Sequence, residues 1–288
     1  MAESETHSLS VSTYNLNGLN QGRWLLELLC SKNDCVFVQE HWLAPFDLHC
    51  LYDLCDDTIC FASSAMDTAI SRGCLHGRPF GGVAIFVKKS LGGITRLVKS
   101  SSRYIIVQVG QVILINVYLP SVGTTNRVEE LIDCLTSIMN DVVDLQYSFV
   151  IFGGDMNTDL SGDTEVCAVV QNFAEELGLK FVTDKLPTDD RTTYRVETTG
   201  AESTIDHFAV TQSLYTSVQG VKVFDSGINL SDHCPLILNV NLPGIMKLPT
   251  HAKGSEKHRE QPVYRWDLGD VMQYYKLKGD LLCNVDVP

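Results

Sequence analysis

The sequence of 288 residues predicts an α/β fold in which two packed β-sheets carry helices on their outer faces. Strand-like and helix-like segments alternate along the chain, and the strands outnumber the helices. Several neighbouring strands are joined too tightly for parallel crossover connections, which need about a dozen residues or more. These observations favour a sandwich of two sheets over a single parallel sheet.

The predicted strands are short apolar segments, and several are rich in β-branched and aromatic residues. They cover residues 9–14, 35–38, 83–87, 104–109, 112–118, 148–152, 204–210 and 236–240. A tight turn at Gly110-Gln111 joins two of them into a hairpin.

Apolar residues at helical spacing predict helices over residues 22–30, 127–145 and 165–177. The first helix has Trp24, Leu25, Leu28 and Leu29 on one face, and Gly178 ends the third.

The composition changes after Asn241. Residues 9–241 are expected to form one catalytic domain, and residues 243–262, with three prolines and many Lys and His residues, a linker. Residues 263–282 could form one amphipathic helix, which is too short to fold alone. We therefore expect residues 263–288 to begin a following region.

The formal net charge of −13 is unfavourable for binding a polyanion, but the charge is segregated along the chain. Residues 68–128 contain no acidic residue and carry a local charge of +8, whereas residues 129–190 hold fourteen acids and two bases. The basic stretch is either a solvated face or a surface that binds a polyanion.

No signal peptide and no apolar run of roughly 20 residues is present, so a nuclear or cytoplasmic protein is expected. The ten cysteines include no C-x-x-C pair. Cys50, Cys55 and Cys60, near His41 and His49, could hold zinc, but reduced thiols are the favoured interpretation.

Polar residues stand at the ends of the apolar strands, where side chains from different strands meet at one rim of a sheet. They are Asn15, Asn17, Glu40, Tyr118, Asp155, Asn157, Asp206, Asp232 and His233. Asn15 with Asn17, and Asp155 with Asn157, are spaced i, i+2, so an extended backbone would point each pair the same way.

Carboxylates packed together repel one another, and a bound cation relieves that repulsion. An all-oxygen ligand set suits Mg²⁺. A single histidine beside carboxylates suits orientation and charge stabilisation at phosphorus. A cation, polar donors and an activated water together indicate phosphodiester hydrolysis.

Six short segments occur in the order found in the endonuclease/exonuclease/phosphatase superfamily, which the chain resembles over residues 9–241. They are TYNLNGL (13–19), VQE (38–40), NVY (116–118), GDMNT (154–158), IDH (205–207) and SDH (231–233). The Asn-x-Asn-Gly-Leu opening and the run QEHWL (39–43) look most like the apurinic-type endonuclease domain of non-LTR (LINE-type) retrotransposons. The tail YRWD (264–267) looks like the segment that precedes reverse transcriptase in such elements.

This resemblance implies a four-layer α/β sandwich, with two mainly antiparallel sheets flanked by helices. It implies that Glu40 is the main ligand of Mg²⁺, or of Mn²⁺, with Asn15 and Asp232 near the metal. The implied catalytic residues are Asp155 for proton transfer, Asn157 for orienting the nucleophile, Asp206 paired with His233, and Tyr118 on the phosphate. The implied substrate-binding residues are Asn17, Ser121, Thr193 and Ser231.

The chain departs from the family pattern at two positions. Ser121 stands where an Asn is common, and a hydroxyl there has a different reach. Ser203 stands where repair enzymes for abasic DNA carry a Trp. The second departure favours a nickase of intact DNA that leaves 3′-hydroxyl and 5′-phosphate ends, with a reverse transcriptase domain in the same polyprotein.

Three alternatives stay open: an abasic-site repair endonuclease, another hydrolase of the superfamily (a deadenylase or a phosphoinositide phosphatase), and a catalytically dead binding module.

Overall fold

The structure is a computed structural model that describes residues 6–243, apart from 72, 73, 76, 188–190 and 197. The predicted linker after Pro243 and the region 263–288, with its possible amphipathic helix, lie outside the described residues. Among the helices described, none has the length and apolar character needed to cross a membrane.

The described residues form sixteen strands and five α-helices. The strands are β1 (Thr6–Asn15), β2 (Cys35–Gln39), β3 (Thr58–Ser63), β4 (Ile70–Ser71), β5 (Cys74–Leu75), β6 (Val83–Lys88), β7 (Thr95–Ser100), β8 (Tyr104–Val109), β9 (Val112–Tyr118), β10 (Phe149–Asp155), β11 (Leu179–Phe181), β12 (Tyr194–Val196), β13 (Ala201–Ser203), β14 (Asp206–Thr211), β15 (Val218–Val223) and β16 (Leu236–Pro243). The helices are α1 (Leu19–Lys32), α2 (His49–Tyr52), α3 (Arg127–Val142), α4 (Glu165–Glu176) and α5 (Gln212–Tyr215).

Two six-stranded sheets form the body of the fold. The first has the order β15-β16-β1-β2-β6-β3, and the second has the order β11-β14-β10-β9-β8-β7. Each sheet contains one parallel pair, β1 with β2 and β9 with β10, and its other strand pairs are antiparallel. Helices α1 and α3 provide the crossovers that the parallel pairs require.

Three apolar clusters separate four layers. The central cluster joins the facing sides of the two sheets, and Phe37 of β2 meets Phe208 of β14 there with ring centroids 5.8 Å apart. A second cluster packs the other face of the second sheet against α3 and α4, and a third packs the first sheet against α1. The central strands are therefore buried on both faces, which explains their continuous apolar sequences. The predicted α/β sandwich is confirmed.

Two features of the outer layers differ from the prediction. Trp24 is 68% exposed on α1, and Leu26 takes its place in the core beside Leu25 and Leu29. Strands β3, β7 and β15 were not predicted, because they lie at or next to a sheet edge and mix half-exposed with polar residues instead of forming an apolar run.

Part of the basic stretch pairs with acids of other segments. Its ion pairs join Lys88 to Asp34 (3.5 Å), Lys99 to Asp141 (3.6 Å) and Arg103 to Glu130 (2.9 Å). Arg127 donates to the backbone oxygens of Pro120 and Asn157. Three bases of the stretch are thus paired with acids, and binding of a polyanion by this stretch stays a prediction.

Asn116 of β9 connects the two sheets through polar contacts inside the core. It is 0% exposed, and its Nδ2 donates to the backbone oxygens of Val38 and Ala84 in the first sheet, each at 2.9 Å. Its Oδ1 accepts from Gln39 Nε2 at 2.5 Å. One amide thus satisfies three buried polar groups and fixes how the two sheets are placed relative to each other.

We predict that Asn116→Leu lowers the free energy of unfolding by about 3–5 kcal/mol, because two buried carbonyls lose a side-chain donor and one N–H of the Gln39 amide loses its acceptor. Urea unfolding followed by circular dichroism measures this. Asn172→Leu on the exposed face of α4 is the matched control and is expected to change stability by less than about 0.5 kcal/mol. Equal losses in the two variants would contradict the proposed role of Asn116.

Candidate active site

The sheet topology brings the predicted polar residues to one rim. Strands β1, β2, β9 and β10 end there, whereas β14 and β16 begin there because they run antiparallel to their neighbours. Asp206 therefore stands at the start of its strand, paired in register with Asp155 at the end of β10. This rim, formed by Asn15, Glu40, Tyr118, Asp155, Asp206, Asp232 and His233, is called the polar rim below.

Asn15 joins the two halves of the polar rim. Its Nδ2 donates to Asp155 Oδ2 at 2.9 Å, which links the end of β1 to the end of β10 in the other sheet. The same Nδ2 lies 3.2 Å from Glu40 Oε1. One amide thus holds two carboxylates at adjacent positions.

The backbone turns sharply after β1 and β10, and both turns have the same construction. Asn15 Oδ1 accepts from the backbone N–H of Asn17, and Asp155 Oδ1 accepts from the backbone N–H of Asn157. Asn17 and Asn157 have φ values of 48° and 52°. The predicted extended i, i+2 pairs are therefore wrong: each is a turn closed by a side chain, with a left-handed residue that asparagine tolerates.

Close backbone approach at the rim explains Gly154. Its φ of 133° and the carbonyl oxygen of Val117, which would overlap any added Cβ, leave no room for a side chain. Glycine at this position lets β10 bring Asp155 against the neighbouring strand.

His233 is held by Asp206. Its Nδ1 lies 2.8 Å from Asp206 Oδ2, and its Nε2 lies 3.9 Å from Asp155 Oδ2. The Tyr194 ring packs against the imidazole, with centroids 4.8 Å apart. The side chains of Asp155, Asp206 and His233 are all buried, so the imidazole has one orientation, with Nε2 towards Asp155.

Electrostatics favour a charged imidazole. Burial alone would lower the pKa of His233, but the negative charges of Asp206 and Asp155 outweigh it and raise that pKa to about 10. Burial has the opposite effect on a carboxyl group, and it raises the pKa of Asp155 to about 7 even though His233 opposes the shift. Asp155 is therefore poised to gain or lose a proton near neutral pH.

Glu40 lies at the more open side of the polar rim. Its carboxylate accepts from Trp42 Nε1 at 2.8 Å, and its negative charge acts on the Tyr118 phenol. Burial, followed by this carboxylate, raises the pKa of Tyr118, so the phenol keeps its proton. Asp232 is half-buried, and burial together with the charge of Glu40 raises its pKa as well.

The polar rim carries more negative charge than its one positively charged group can offset. Its carboxylates belong to Glu40, Asp155, Asp206 and Asp232, whereas His233 is its one imidazole. Two groups of ligands could hold a divalent cation. Asp155, Asp206 and His233 present ligand atoms within 4.8 Å of one another, and Asp206 Oδ1 has no hydrogen-bond partner among the described residues.

The second group is Glu40 with Asn15 and Asp232. It offers oxygen ligands alone, which a hard cation prefers, and Glu40 is partly open to solvent. The first group has its Nδ1 and Oδ2 already engaged in the 2.8 Å hydrogen bond. The donor chemistry therefore fits a hard divalent cation better at Glu40.

Two predicted substrate-binding residues, Thr193 and Ser231, use their hydroxyls to bond to the backbone of neighbouring segments. Thr193 is 0% exposed, and its Oγ1 accepts from the backbone N–H groups of Ile205 and Asp206. It positions Asp206 and is not available to a substrate. Ser231 donates from Oγ to the backbone oxygen of Asn15 at 2.8 Å, which ties the loop before β16 to the end of β1.

The remaining predicted residues border the rim. Ser121 lines a cleft of 360 Å³ beside Tyr118, together with Arg103 and Phe80. Asn157 donates from Nδ2 to the backbone oxygen of Leu119, so its Oδ1 remains the atom that can face a substrate.

Three supporting residues were missed by the sequence reasoning. Trp42 binds Glu40, Tyr194 packs on His233, and Asn229 donates to the backbone oxygen of His233 while accepting from the Tyr14 hydroxyl. Trp42 and Tyr194 adjoin predicted residues, but Asn229 carries no sequence signal, because its contact with Tyr14 joins positions far apart in the chain.

The zinc hypothesis fails within the described ranges. Cys50 Sγ lies 3.7 Å from His49 Nε2, but the one group of three close ligands among the described residues is at the polar rim and includes no cysteine. His41 is buried, with Nε2 on the Ser63 carbonyl oxygen and Nδ1 accepting from the Leu43 backbone.

We predict that Asp206→Asn lowers the pKa of His233 from about 10 towards the ordinary value of about 6.5. Because the pKa of His233 is raised in the folded protein, its charged form adds to the free energy of unfolding fully below about pH 6.5, and this contribution is lost as pH rises through about 10. The difference in free energy of unfolding between these two pH values should therefore be smaller in the variant. NMR titration of the imidazole protons, in the presence of EDTA, measures the pKa. Asp159→Asn, an exposed carboxylate near His207, is the control. An unchanged His233 titration in Asp206→Asn would refute the assigned coupling.

Solved structures share this fold at low sequence identity. A variant of the 3′ phosphatase NExo from Neisseria, bound to a product DNA hairpin, is 18% identical with a TM-score of 0.60, over 80% of this chain and 98% of that one. The AP endonuclease LMAP from Leishmania major is 15% identical with a TM-score of 0.65, over 82% and 88%. An AP endonuclease from Archaeoglobus fulgidus is 17% identical with a TM-score of 0.58, over 82% and 100%.

No curated protein sequence matches the chain significantly. A family model does match, over residues 12–233, a span that begins in β1 and ends at His233 of the polar rim. The chain therefore belongs to the Endonuclease/Exonuclease/phosphatase family.

Proposed function

We propose that the chain is a metal-dependent phosphodiesterase that nicks intact DNA and leaves 3′-hydroxyl and 5′-phosphate ends. The observation that carries this proposal is the arrangement of Asp155 between Asn15 and His233, next to Glu40. A buried carboxylate that titrates near pH 7 and an imidazolium held charged are the two groups that in-line attack on a phosphodiester needs.

Each residue has a separate role in the proposed reaction. Asp155 takes a proton from the attacking water or gives one to the leaving oxygen. Asn157, placed by its turn, orients the nucleophile through Oδ1. The His233 imidazolium, fixed by Asp206, faces the phosphate and offsets the charge that develops on it. The Tyr118 hydroxyl, which stays protonated, donates to a phosphate oxygen.

Glu40, Asn15 and Asp232 would hold Mg²⁺, or Mn²⁺ in its place. The cation would supply positive charge opposite the non-bridging phosphate oxygens. The cation would also relieve the repulsion between Glu40 and Asp232. Burial and this repulsion both raise the pKa of Asp232 in the protein alone.

The choice of intact over abasic DNA rests on Ser203, at the end of β13. A serine provides no aromatic wall for an extruded sugar, so an abasic pocket is less well supported here. The solved AP endonucleases share the fold, and fold alone does not select a substrate. Abasic-site cleavage therefore remains the competing activity.

A role in retrotransposition follows from the sequence resemblance. A 3′-hydroxyl left by the nick could prime a reverse transcriptase domain in the same polyprotein. Residues 263–288 would begin the region that precedes that domain. This part of the proposal depends on the motif order and on the YRWD tail.

We predict Mg²⁺-dependent nicking of supercoiled plasmid that EDTA abolishes. Glu40→Gln and His233→Ala should each reduce the rate by about 10²-fold or more, because the first weakens binding of the cation and the second removes the positive charge that faces the phosphate. The controls are Glu165→Gln and His49→Ala, both exposed and remote in sequence from the polar rim, which should retain activity.

The end groups and the substrate are tested in the same experiment. A nick that DNA ligase reseals must carry a 3′-hydroxyl and a 5′-phosphate. An abasic oligonucleotide is run in parallel. Cleavage confined to the abasic strand would replace the proposal with a repair function. No cleavage of either DNA would leave RNA or a phosphoinositide as the substrate, or a catalytically dead binding module as the role of the chain.

Arg103 provides a further prediction about DNA binding. It lines the cleft beside Tyr118, and its ion pair with Glu130 (2.9 Å) reduces the charge it offers to a phosphate. On a His233→Ala background, Arg103→Ala should weaken binding and reduce the slope of log Kd against log salt by about one. Glu130→Gln should strengthen binding severalfold.

Arg23→Ala is the matched control, since Arg23 also pairs with a glutamate at 2.9 Å but lies on α1. Fluorescence anisotropy over a range of salt concentrations measures the slopes. Identical slopes for Arg103→Ala and Arg23→Ala would exclude this cleft as a phosphate-binding surface.

A further inference from the structure

The Trp42 indole holds one of the two oxygens of the Glu40 carboxylate. Its Nε1 donates to Glu40 Oε2 at 2.8 Å, the length of a hydrogen bond to a charged acceptor. The other oxygen, Oε1, has a longer contact of 3.2 Å with Asn15 Nδ2. Of the two oxygens, Oε1 is therefore the one that is freer to bind a cation.

The backbone after β2 holds Glu40 and Trp42 in place. The Glu40 backbone N–H donates to the carbonyl oxygen of Gly82 at 2.9 Å. The Trp42 backbone N–H donates to the carbonyl oxygen of Gly81 at 3.0 Å. With φ values of 53° and 57°, both residues have left-handed backbone that these bonds maintain. The indole therefore cannot leave the carboxylate unless this turn rearranges.

The indole also lies against Gly18, in the turn after β1. A Cβ added to Gly18 would lie 2.6 Å from Trp42 Cε3, which is too close for any side chain at that position. The Gly18 backbone N–H donates to the carbonyl oxygen of Glu40 at 2.8 Å, so the turns after β1 and β2 are bonded to each other. Glycine at position 18 thus lets the indole reach the carboxylate.

We propose that Trp42 is a positioning residue that makes Glu40 a ligand through one oxygen, and that it thereby selects a small divalent cation such as Mg²⁺ over Ca²⁺. This inference rests on the proposed function, because it takes Glu40 as the main ligand of the cation. Trp42 itself touches neither the cation nor the substrate; it acts through the carboxylate that it orients.

The preference follows from the different demands of the two ions. Mg²⁺ keeps several of its waters and takes one or two carboxylates in a compact octahedral shell, whereas Ca²⁺ takes about six to eight oxygens and often both oxygens of one carboxylate. A Glu40 whose Oε2 accepts from a fixed N–H resists the rotation that would turn both oxygens towards one ion. Glu40 through one oxygen, with Asp232 and water, would therefore satisfy Mg²⁺ and undersupply Ca²⁺.

The N–H group separates this role from simple packing. Trp42→Phe keeps an aromatic ring beside Gly18 but removes the donor, which frees Glu40 Oε2 to turn towards a cation. A side chain that only fills space would change the melting temperature on substitution and leave the preference between the two ions unchanged.

Displacement of Mn²⁺ from the full chain by Mg²⁺ or by Ca²⁺ tests the proposal. Electron paramagnetic resonance measures free Mn²⁺, and competition gives a Kd for each of the other two ions. Trp42→Phe should raise the Kd for Mg²⁺ by about tenfold and lower the ratio of the Ca²⁺ Kd to the Mg²⁺ Kd by about tenfold or more. Trp24→Phe is the matched control, since Trp24 is 68% exposed on α1, and it should leave both values unchanged.

Gly18→Ala tests the same contact while keeping the donor. Its new Cβ would displace the indole, so the ratio of the two Kd values should fall as it does in Trp42→Phe. Gly77→Ala is the control for backbone strain, because Gly77 has the same φ of 96° but nothing within 4 Å of an added Cβ. It should keep the wild-type ratio.

Glu40→Gln separates failure of this inference from failure of the proposed function. It should remove the bound Mn²⁺ that Mg²⁺ displaces from the wild-type chain. Binding in Glu40→Gln that equals the wild type would show that the proposed cation site is wrong, and the inference would fall with it. Loss of that binding, together with a wild-type ratio in both Trp42→Phe and Gly18→Ala, would overturn the inference alone.

Discussion

The polar rim depends on the hydrogen bond between Asn15 and Asp155, because it joins the ends of the two sheets. Neither sheet alone contains the candidate active site: β1 and β2 supply Asn15 and the approach to Glu40, and β9, β10 and β14 supply Tyr118, Asp155 and Asp206. A shift of one sheet along the other would separate these groups. Asn116 opposes that shift from within the core, because it bonds to carbonyls of both β2 and β6. The central polar contacts thus give the site its geometry, while apolar packing between the sheets supplies most of the stability.

Strain is concentrated at the same rim. The described residues outside glycine with positive φ are Asn17, Glu40, Trp42, Asn126 and Asn157, and four of the five belong to the turns that end β1, β2 and β10. Left-handed backbone is costly for Glu and Trp, which lack the short side-chain hydrogen bond that helps asparagine. Here the Trp42 indole donates to the Glu40 carboxylate, so the two strained residues hold each other in place. Strain that the surrounding contacts maintain is a feature of preorganised sites.

The sequence predicted the central strands and the membership of the rim, and it did so for a physical reason. Strands buried on both faces are continuous apolar runs, and a polar residue directly after such a run can only lie at the sheet's rim. Edge strands such as β7 lack that contrast, so they were missed. The turn geometry of Asn17 and Asn157 was predicted wrongly, because a spacing of two residues does not distinguish an extended backbone from a turn closed by a side chain. The contacts of Tyr14 with Asn229 and of Arg103 with Glu130 join residues that are far apart in the sequence, so no local pattern could predict them.

The charge of the polar rim connects stability with function. Carboxylates buried at the ends of two sheets cost free energy in the protein alone, and the raised pKa values of Asp155 and Asp232 record that cost. His233 offsets part of it for Asp206 and Asp155, on one side of the rim. Glu40 and Asp232, on the other side, have polar neighbours but no cation among their described contacts. A divalent ion held by Glu40 and Asp232 would supply the positive charge that this side lacks, and it would also offset the negative charge of a phosphodiester bound beside it. The same imbalance that destabilises the protein alone would therefore favour binding of a cation, which a phosphodiester needs in order to approach the rim.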